Sequence, residues 1–418
     1  MSFDIALSGI QAINDSLDVT SHNIANAGTY GYKASRANFS SLVAGTQVTG
    51  VQVGSITQSI GRQGGILNTG NGLDASINGK GFFIGRDAAT GEVQYTRVGL
   101  FEASKDGFLI DSSGRKIQGY PVDSTTGSMG AQGDIVIPTG AIPAVASKDV
   151  TYVGNLSSDW TSPATVWATP AAGESPETST FNMSKASVIY DTLGGKHTLT
   201  QYFAATGDGV TTTKNSVDVH YLVDGVEVPA APANVLTFDP ASGKMIALDP
   251  DTNSFEVALD LSGITTNTGG TLNNVTIDYT GTTNFAGEAT TSTNNADGYA
   301  SGTFSQLTLG EDGSVIAGYT NGQKQTVGRL AIATFSNEAA LTAISDTSWT
   351  ASINSGAALV NAPGVGMGGT INVATLEQSN VDITSELVGL MTSQRNYQAN
   401  SKVIQTESTM LQSLMQAI

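Results

Sequence analysis

Between residues 381 and 418 the chain carries a seven-residue apolar repeat that few folds can absorb. Ile383, Leu390, Tyr397, Ile404, Leu411 and Ile418 recur at every seventh position, with Leu387, Gln394, Ser401, Ser408 and Met415 on the companion line. This is the a and d pattern of a helical seam. No proline or glycine interrupts it after Gly389, Asp382 stands where an N-cap belongs, and Glu386 falls in the first turn. The spacing predicts one helix of ~35 residues, roughly 50 Å long at 1.5 Å per residue. A weaker copy opens the chain: Phe3, Ile10, Leu17 and Ile24 are also seven apart, with Leu7 between them and Asn14 and Ser21 as polar companions. Gly28 is the expected C′ residue of that first helix.

What lies between the two ends reads as β structure. Only 13% of the 418 residues are charged and 49 are glycine, a mixture suited to short strands and many turns. Residues 31–71 carry weak alternation and read as an extended linker with some strand. From residue 72 to 147, Asn78-Gly79, Thr90-Gly91, Asp106-Gly107 and Ser113-Gly114 punctuate short apolar runs such as Phe82-Phe83-Ile84. The same style resumes over 299–360. Residues 148–298 form an inserted block in which Val217, Val219, Tyr221 and Val223 alternate, Asp224-Gly225 turns, and Val226 and Val228 return. Residues 148–299 hold five Lys, no Arg and seventeen acids, the signature of a solvated outer surface. Residues 361–380 are glycine-rich and read as a mobile link to the last helix. The expected layout is nested. A helix at 1–30 and another at 381–418 form a coiled-coil-like core. A β-rich inner domain is built from 72–147 and 299–360, and 148–298 is an outer β-barrel or sandwich.

The run Asn23-Ile24-Ala25-Asn26, followed by Gly31-Tyr32-Lys33, resembles a signature of bacterial flagellar rod and hook proteins. At the other end Ser379-Asn380-Val381-Asp382 and Gln394-Arg395-Asn396-Tyr397-Gln398-Ala399-Asn400 resemble that family's C-terminal signature. Gly81-Phe82-Phe83 and Tyr95-Thr96-Arg97 look like its shared inner domain. Tyr190 to His197 resembles an outer domain that hook proteins have and rod proteins lack. The resemblance implies a hook subunit, a homopolymer that forms a flexible tube transmitting torque from rod to filament. It further implies the distal rod, the hook cap, the hook-filament junction protein and the flagellar type III export apparatus as partners. The place would be extracellular, reached without a cleaved signal peptide. A distal rod subunit is the alternative within the family; a secreted β-rich adhesin with a coiled-coil stalk is the alternative outside it.

The residues offer little support for other chemistry. The formal net charge of −18 argues against nucleic acid, and no stretch is apolar enough to insert in a membrane. There is no Cys, hence no disulfide and no thiol chemistry. The N-terminus is acidic and amphipathic, unlike a secretory leader. Gly364 to Gly369 satisfies G-x-G-x-x-G but follows no convincing strand, so a flexible link is preferred to a dinucleotide site. Asp249, Asp251 and Asn253 open like a calcium loop, yet Ser254 replaces the required glycine and Asp260 is a poor twelfth ligand. His22, His197 and His220 have no second histidine at ligand spacing. No cofactor, metal or catalytic residue is expected.

The exposed seam is the decisive physical point, since apolar surface left in water costs about 25 cal/mol per Å². The two ends could pair within one chain as an antiparallel stalk. The C-terminal face is widened by Val388, Met391, Val403, Met410 and Leu414, which calls for more than one neighbour. The expected assembly surface is Phe3, Leu7, Ile10, Leu17, Ile24, Ile383, Leu387, Leu390, Tyr397, Ile404, Leu411, Met415 and Ile418, disordered in the free subunit and folded in the polymer.

Overall fold

The computed structural model describes residues 2–417 except 45–46, 124–125, 172, 207–214, 232–233, 250–252 and 265–268. Ile418 and Asp251 therefore lie outside the described residues. The chain divides into two compact units, one comprising Met1–Thr139, Ser305–Gly318 and Lys324–Ile418, the other Gly140–Phe304 and Tyr319–Gln323. The second unit thus starts ahead of the expected residue 148 and takes in a short return segment.

In the first unit, helix α1 (Ser2–Ala25) leads into strands β1 (Ser35–Ala44) and β2 (Gln47–Gln58), an antiparallel hairpin with two register shifts. The Val51 amide donates to Ser8 Oγ at 3.2 Å, and Gly50 faces the same hydroxyl, so the hairpin lies along α1. The segment expected over 31–71 as a linker with some strand is mostly paired strand. Its Ser, Thr and Gln residues read as loop, but hydrogen bonding along a two-stranded ladder depends on the backbone, not on an apolar face.

Strands β3 (Ile66–Asn68) and β4 (Ala75–Asn78) pair with Thr375–Glu377 and Thr370–Val373 respectively. This overturns the mobile link expected over 361–380. Gly364 and Gly366, at φ +73° and +66°, make a turn, while Ile371 and Leu376 are buried. The glycines there shape a return of the chain; they do not loosen it.

The sheet beyond is woven from both halves of the sequence. Phe82–Arg86 pairs with Val93–Thr96 and Lys116–Pro121, and also with Ile332–Thr334. Val93–Thr96 takes on Ser348–Thr350, and Lys116–Pro121 takes on Lys324–Leu330. Phe82, Tyr95, Phe335 and Trp349 form the core, with Tyr95 and Phe335 edge to face at 4.8 Å.

The second unit places two sheets on one core. One runs in the order Ala230–Ala231, Glu256–Leu259, Val275–Asp278, Asp149–Asn155, Thr290–Ala296. The other contains Met183–Tyr190, Lys196–Ala205, Ser216–Val223 and Val226–Val228. The anticipated hairpin has Val223 opposite Val226, with Asp224 and Gly225 both at positive φ, the two-residue turn that strand twist favours. Val217, Val219, Tyr221 and Val223 all face inward. Tyr221 and Tyr279 hydroxyls lie 3.0 Å apart in the core, and Tyr279 donates to Gln201 Oε1 at 2.6 Å. The fold is thus β-rich with a helix at each end.

Candidate assembly site and the junction that positions it

The N-terminal motif builds a joint. Asn23 is buried and uses its whole amide: Nδ2 donates to the Ser35 carbonyl at 2.8 Å and to Glu386 Oε1 at 2.9 Å, while Oδ1 accepts from the Ser35 amide at 2.9 Å and the Tyr32 hydroxyl at 3.3 Å. One side chain therefore ties the end of α1, the start of β1 and the first turn of the C-terminal helix. Beyond it Asn26 Nδ2 donates to the His22 carbonyl at 2.9 Å, turning the chain out of the helix, and Ile24 and Ala25 complete the last turn. The left-handed residue is Gly31, at φ +68°, not the expected Gly28. Its amide donates to the Glu377 carbonyl at 2.8 Å, and an added Cβ would stand 2.9 Å from the Val98 side chain.

Lys33 lies at the centre. Its ammonium is fully buried, donating to Glu377 Oε1 at 2.5 Å and to the Arg62 carbonyl at 2.8 Å. Glu377 also accepts from the Gly64 amide at 3.0 Å and from Arg97 Nη1 at 3.4 Å. Burial pushes the Lys33 ammonium below its ordinary value, and Glu377 beside it offsets part of that push. Arg97 is lowered by burial in the same way. Asn380 closes the ring: Oδ1 accepts from the Ala34 amide at 2.7 Å, and Nδ2 donates to the carbonyls of Ser59 at 3.0 Å and Arg62 at 2.8 Å. Sequence reasoning did not single out Glu377, Arg97 or Asn380 as site residues. The signal was present for Asn380, inside the quoted motif; for Glu377 it was a lone acid on a strand, which normally means solvent.

Helix α2 (Ile383–Ala417) starts as expected. Asp382 Oδ1 accepts from the Thr384 amide at 3.0 Å, and its Oδ2 from the Ser385 hydroxyl at 2.9 Å. These bonds, the Ser385 hydroxyl first among them, hold the Asp382 carboxyl below its ordinary range. The two helices pair antiparallel in one chain: Asn23 meets Glu386, Gly9 faces Asn400, and Asn14, Leu17, Gln394, Tyr397 and Gln398 line a hollow of about 280 Å³ between them.

The half-buried residues of α2 are Glu386, Leu390, Ser393, Asn400, Ser401, Ile404 and Glu407, with Tyr397 just exposed at 40%. Of the expected a line Leu390 and Ile404 are half-buried and the other described members are exposed; on the companion line Ser401 is half-buried, while Glu386, Ser393, Asn400 and Glu407 lie one residue before it and are polar. Leu387 and Met415 are exposed, as are Ile383 and Leu411. On α1 the buried line is Ala6, Gly9, Ala12, Ile13, Val19 and Asn23; Ile10, Leu17 and Ile24 are half-buried, and Phe3 and Leu7 are exposed. Small residues win that face because they let two helices and a hairpin approach closely, which a count of large apolar residues does not register. Arg395 is exposed on α2.

The remaining sequence candidates fall elsewhere. Among the described residues no cluster of three His, Cys, Asp or Glu could hold a metal ion. His197 Nδ1 lies 2.6 Å from Asp224 and its Nε2 3.4 Å from Asp191, while His220 stacks on Trp167 at 4.1 Å. His22 is exposed on α1.

Three family models match: the flagellar hook protein FlgE/F/G D1 domain over residues 76–156, the flagellar basal body protein FlaE D2 domain over 155–299, and the flagellar basal body rod FlgEFG protein C-terminal region over 374–417. The flagellar hook protein FlgE of Escherichia coli K12 is 32% identical over 431 residues, covering 99% of both chains. The chain belongs to the flagellar hook protein family. The hook protein of Salmonella typhimurium LT2 is 33% identical over 440 residues, again covering 99% of each, and that of Treponema pallidum 29% over 463 residues, covering 98% of this chain and 97% of the relative. The solved structure of Helicobacter pylori flagellar hook protein FlgE2 agrees at TM-score 0.51 and 14% identity, covering 73% of this chain and 99% of that one, a likeness of fold. A hook protein is a structural subunit and not an enzyme. Rod and adhesin readings are not favoured, because the hook relatives match along the full chain.

Proposed function

We propose that this hook subunit polymerises through its terminal helices, with Lys33 and its neighbours acting as the joint that sets the direction of the helical pair. The observation that carries this reading is the far end of α2. It has 35 residues against the 24 of α1, so it extends roughly 16 Å farther at 1.5 Å per residue. Met410, Leu411, Leu414 and Met415 on that extension are 55–78% exposed. Apolar residues this close together on one element are costly in water and mark an interaction surface. The interface extends over Ile383, Leu387, Val388, Met391 and Val403 on α2 and Phe3 and Leu7 on α1, all exposed.

The distal rod, the hook cap, the hook-filament junction protein and the type III export apparatus are the partners that membership of the family supports. The location proposed is the extracellular hook. In this reading α1 stays with the exported subunit, because Asn23 builds it into the joint and removing it would take the joint apart. The test is Leu411→Asp in the full chain. The monomer is expected to keep its fold, because the side chain is already exposed, while tubes fail to form in electron microscopy. Tubes of normal length would overturn the reading.

A further inference from the structure

Each terminal helix leaves an outer surface that the other does not cover, and the two surfaces carry opposite charge. On α2, Arg395 and Lys402 are seven residues apart and share a side, with Val388 one heptad earlier and Met391 next to them. Val388 and Met391 are 54% and 50% exposed, and both cations are exposed. Glu386 and Ile404, each nine residues from Arg395, stand about 180° away from it at ~100° per residue. Both are half-buried, and Glu386 is bonded to Asn23 of α1. The cations therefore lie on the side of α2 turned away from α1.

On α1 the counterpart is a groove of about 420 Å³ against β2. It is lined by Asp15, Asp18 and His22 from the helix and by Val53, Ser55 and Ile56 from the strand, with the buried Val19 between them. Ser8, one heptad before Asp15, is the residue that accepts from the Val51 amide. Asp15 thus stands on the hairpin flank of α1, away from Gly9, which faces Asn400 of α2. Ile56 is 58% exposed. Among the described residues no ion pair takes Asp15, Asp18, Arg395 or Lys402. Both surfaces leave charge and apolar area to water.

We propose that this groove receives the outer face of α2 from a second copy of the chain, with Arg395 and Lys402 facing Asp15 and Asp18 while Val388 and Met391 cover Val53 and Ile56. The inference rests on assembly through the terminal helices and names the surface that receives them. Charge selects the occupant: the groove holds two carboxylates and no Lys or Arg, and Arg395 and Lys402 are the only Lys or Arg on either helix. Exposed ion pairs contribute little energy, but they fix register and penalise wrong docking, while the apolar side chains supply the attraction. Groove and face are different patches of one chain, so the contact is heterologous. Such a contact repeats along an open helical assembly and does not close into a two-fold dimer.

The experiment uses full-length subunits at low salt, with tube growth followed by light scattering and electron microscopy. One variant carries Asp15→Lys and Asp18→Lys, the other Arg395→Glu and Lys402→Glu. Each alone should slow growth about tenfold or more, with the melting temperature of the monomer unchanged, since all four side chains are exposed. A mixture of the two variants should regain growth, because each groove then finds a face of opposite sign on the other variant. One chain carrying all four changes should regain it as well, a rescue that damage to the fold would not give. If either variant alone grows normally, or if neither the mixture nor the chain with all four changes recovers, the pairing is wrong. Normal tubes from Arg395→Glu with Lys402→Glu, alongside loss of tubes in Leu411→Asp, would overturn this inference and leave assembly through the terminal helices standing.

Discussion

Lys33 and Glu377 are fully buried and bonded to each other, and Arg97 is the second cation on the same carboxylate. Removing the acid leaves two buried positive charges without compensation. Glu377→Ala is therefore expected to lose about 3–5 kcal/mol in urea denaturation of the monomer, and an unchanged midpoint would show that the joint is slack. Gly31→Ala places a Cβ at φ +68° against Val98 and should lose at least about 1–2 kcal/mol by the same assay. Asp382 gives the pH dependence. Its folded pKa is depressed, so its contribution is present above the unfolded value of ~3.9 and is lost as pH falls through the folded one. Helix content measured by far-ultraviolet circular dichroism should fall on acidification into that range, and Asp382→Ala should flatten the part of the curve that belongs to α2.

The helices show what a sequence pattern carries and where it stops. Their existence, the start of α2 at Asp382 and the a line through Leu390 and Ile404 follow from spacing alone. Which flank of that line meets α1 does not, because the choice is made by Gly9, Ala12 and Asn400, small or polar residues that only close packing makes decisive. The hairpin of β1 and β2 was equally hidden: Phe39, Val43 and Ile56 are exposed, so no buried face imposes alternation on it. Its turn-rich strand counterparts in the second unit were legible because Val217 to Val223 bury alternate residues against a shared core. For α2 a helix without tertiary cover is marginal in water. Backbone amides of residues 408–417 are therefore expected to exchange quickly in the monomer and slowly in the polymer, as read by hydrogen exchange. Equal rates in both would place that segment outside the interface.

The two compact units each hold their own apolar core, one around Phe82 and Trp349, the other around Tyr152 and Tyr279. Replacing residues 140–304 with a short Gly-Ser link should leave the first core and the helical pair in place. Tubes are then expected to form with altered bending in electron microscopy, and complete loss of polymer would count against the terminal helices as the assembling elements. The partner of Lys33 lies 344 residues farther along the chain. Whatever delivers this polypeptide from its first residue onward, a ribosome or a narrow conduit, hands over the ammonium long before the carboxylate that will neutralise it. Until nearly nine-tenths of the molecule has arrived, that cation has no reason to leave water, and the two tails stay apart. Closure of the joint is thereby expected to wait for the segment around Glu377, because burying Lys33 without its carboxylate carries an uncompensated desolvation cost.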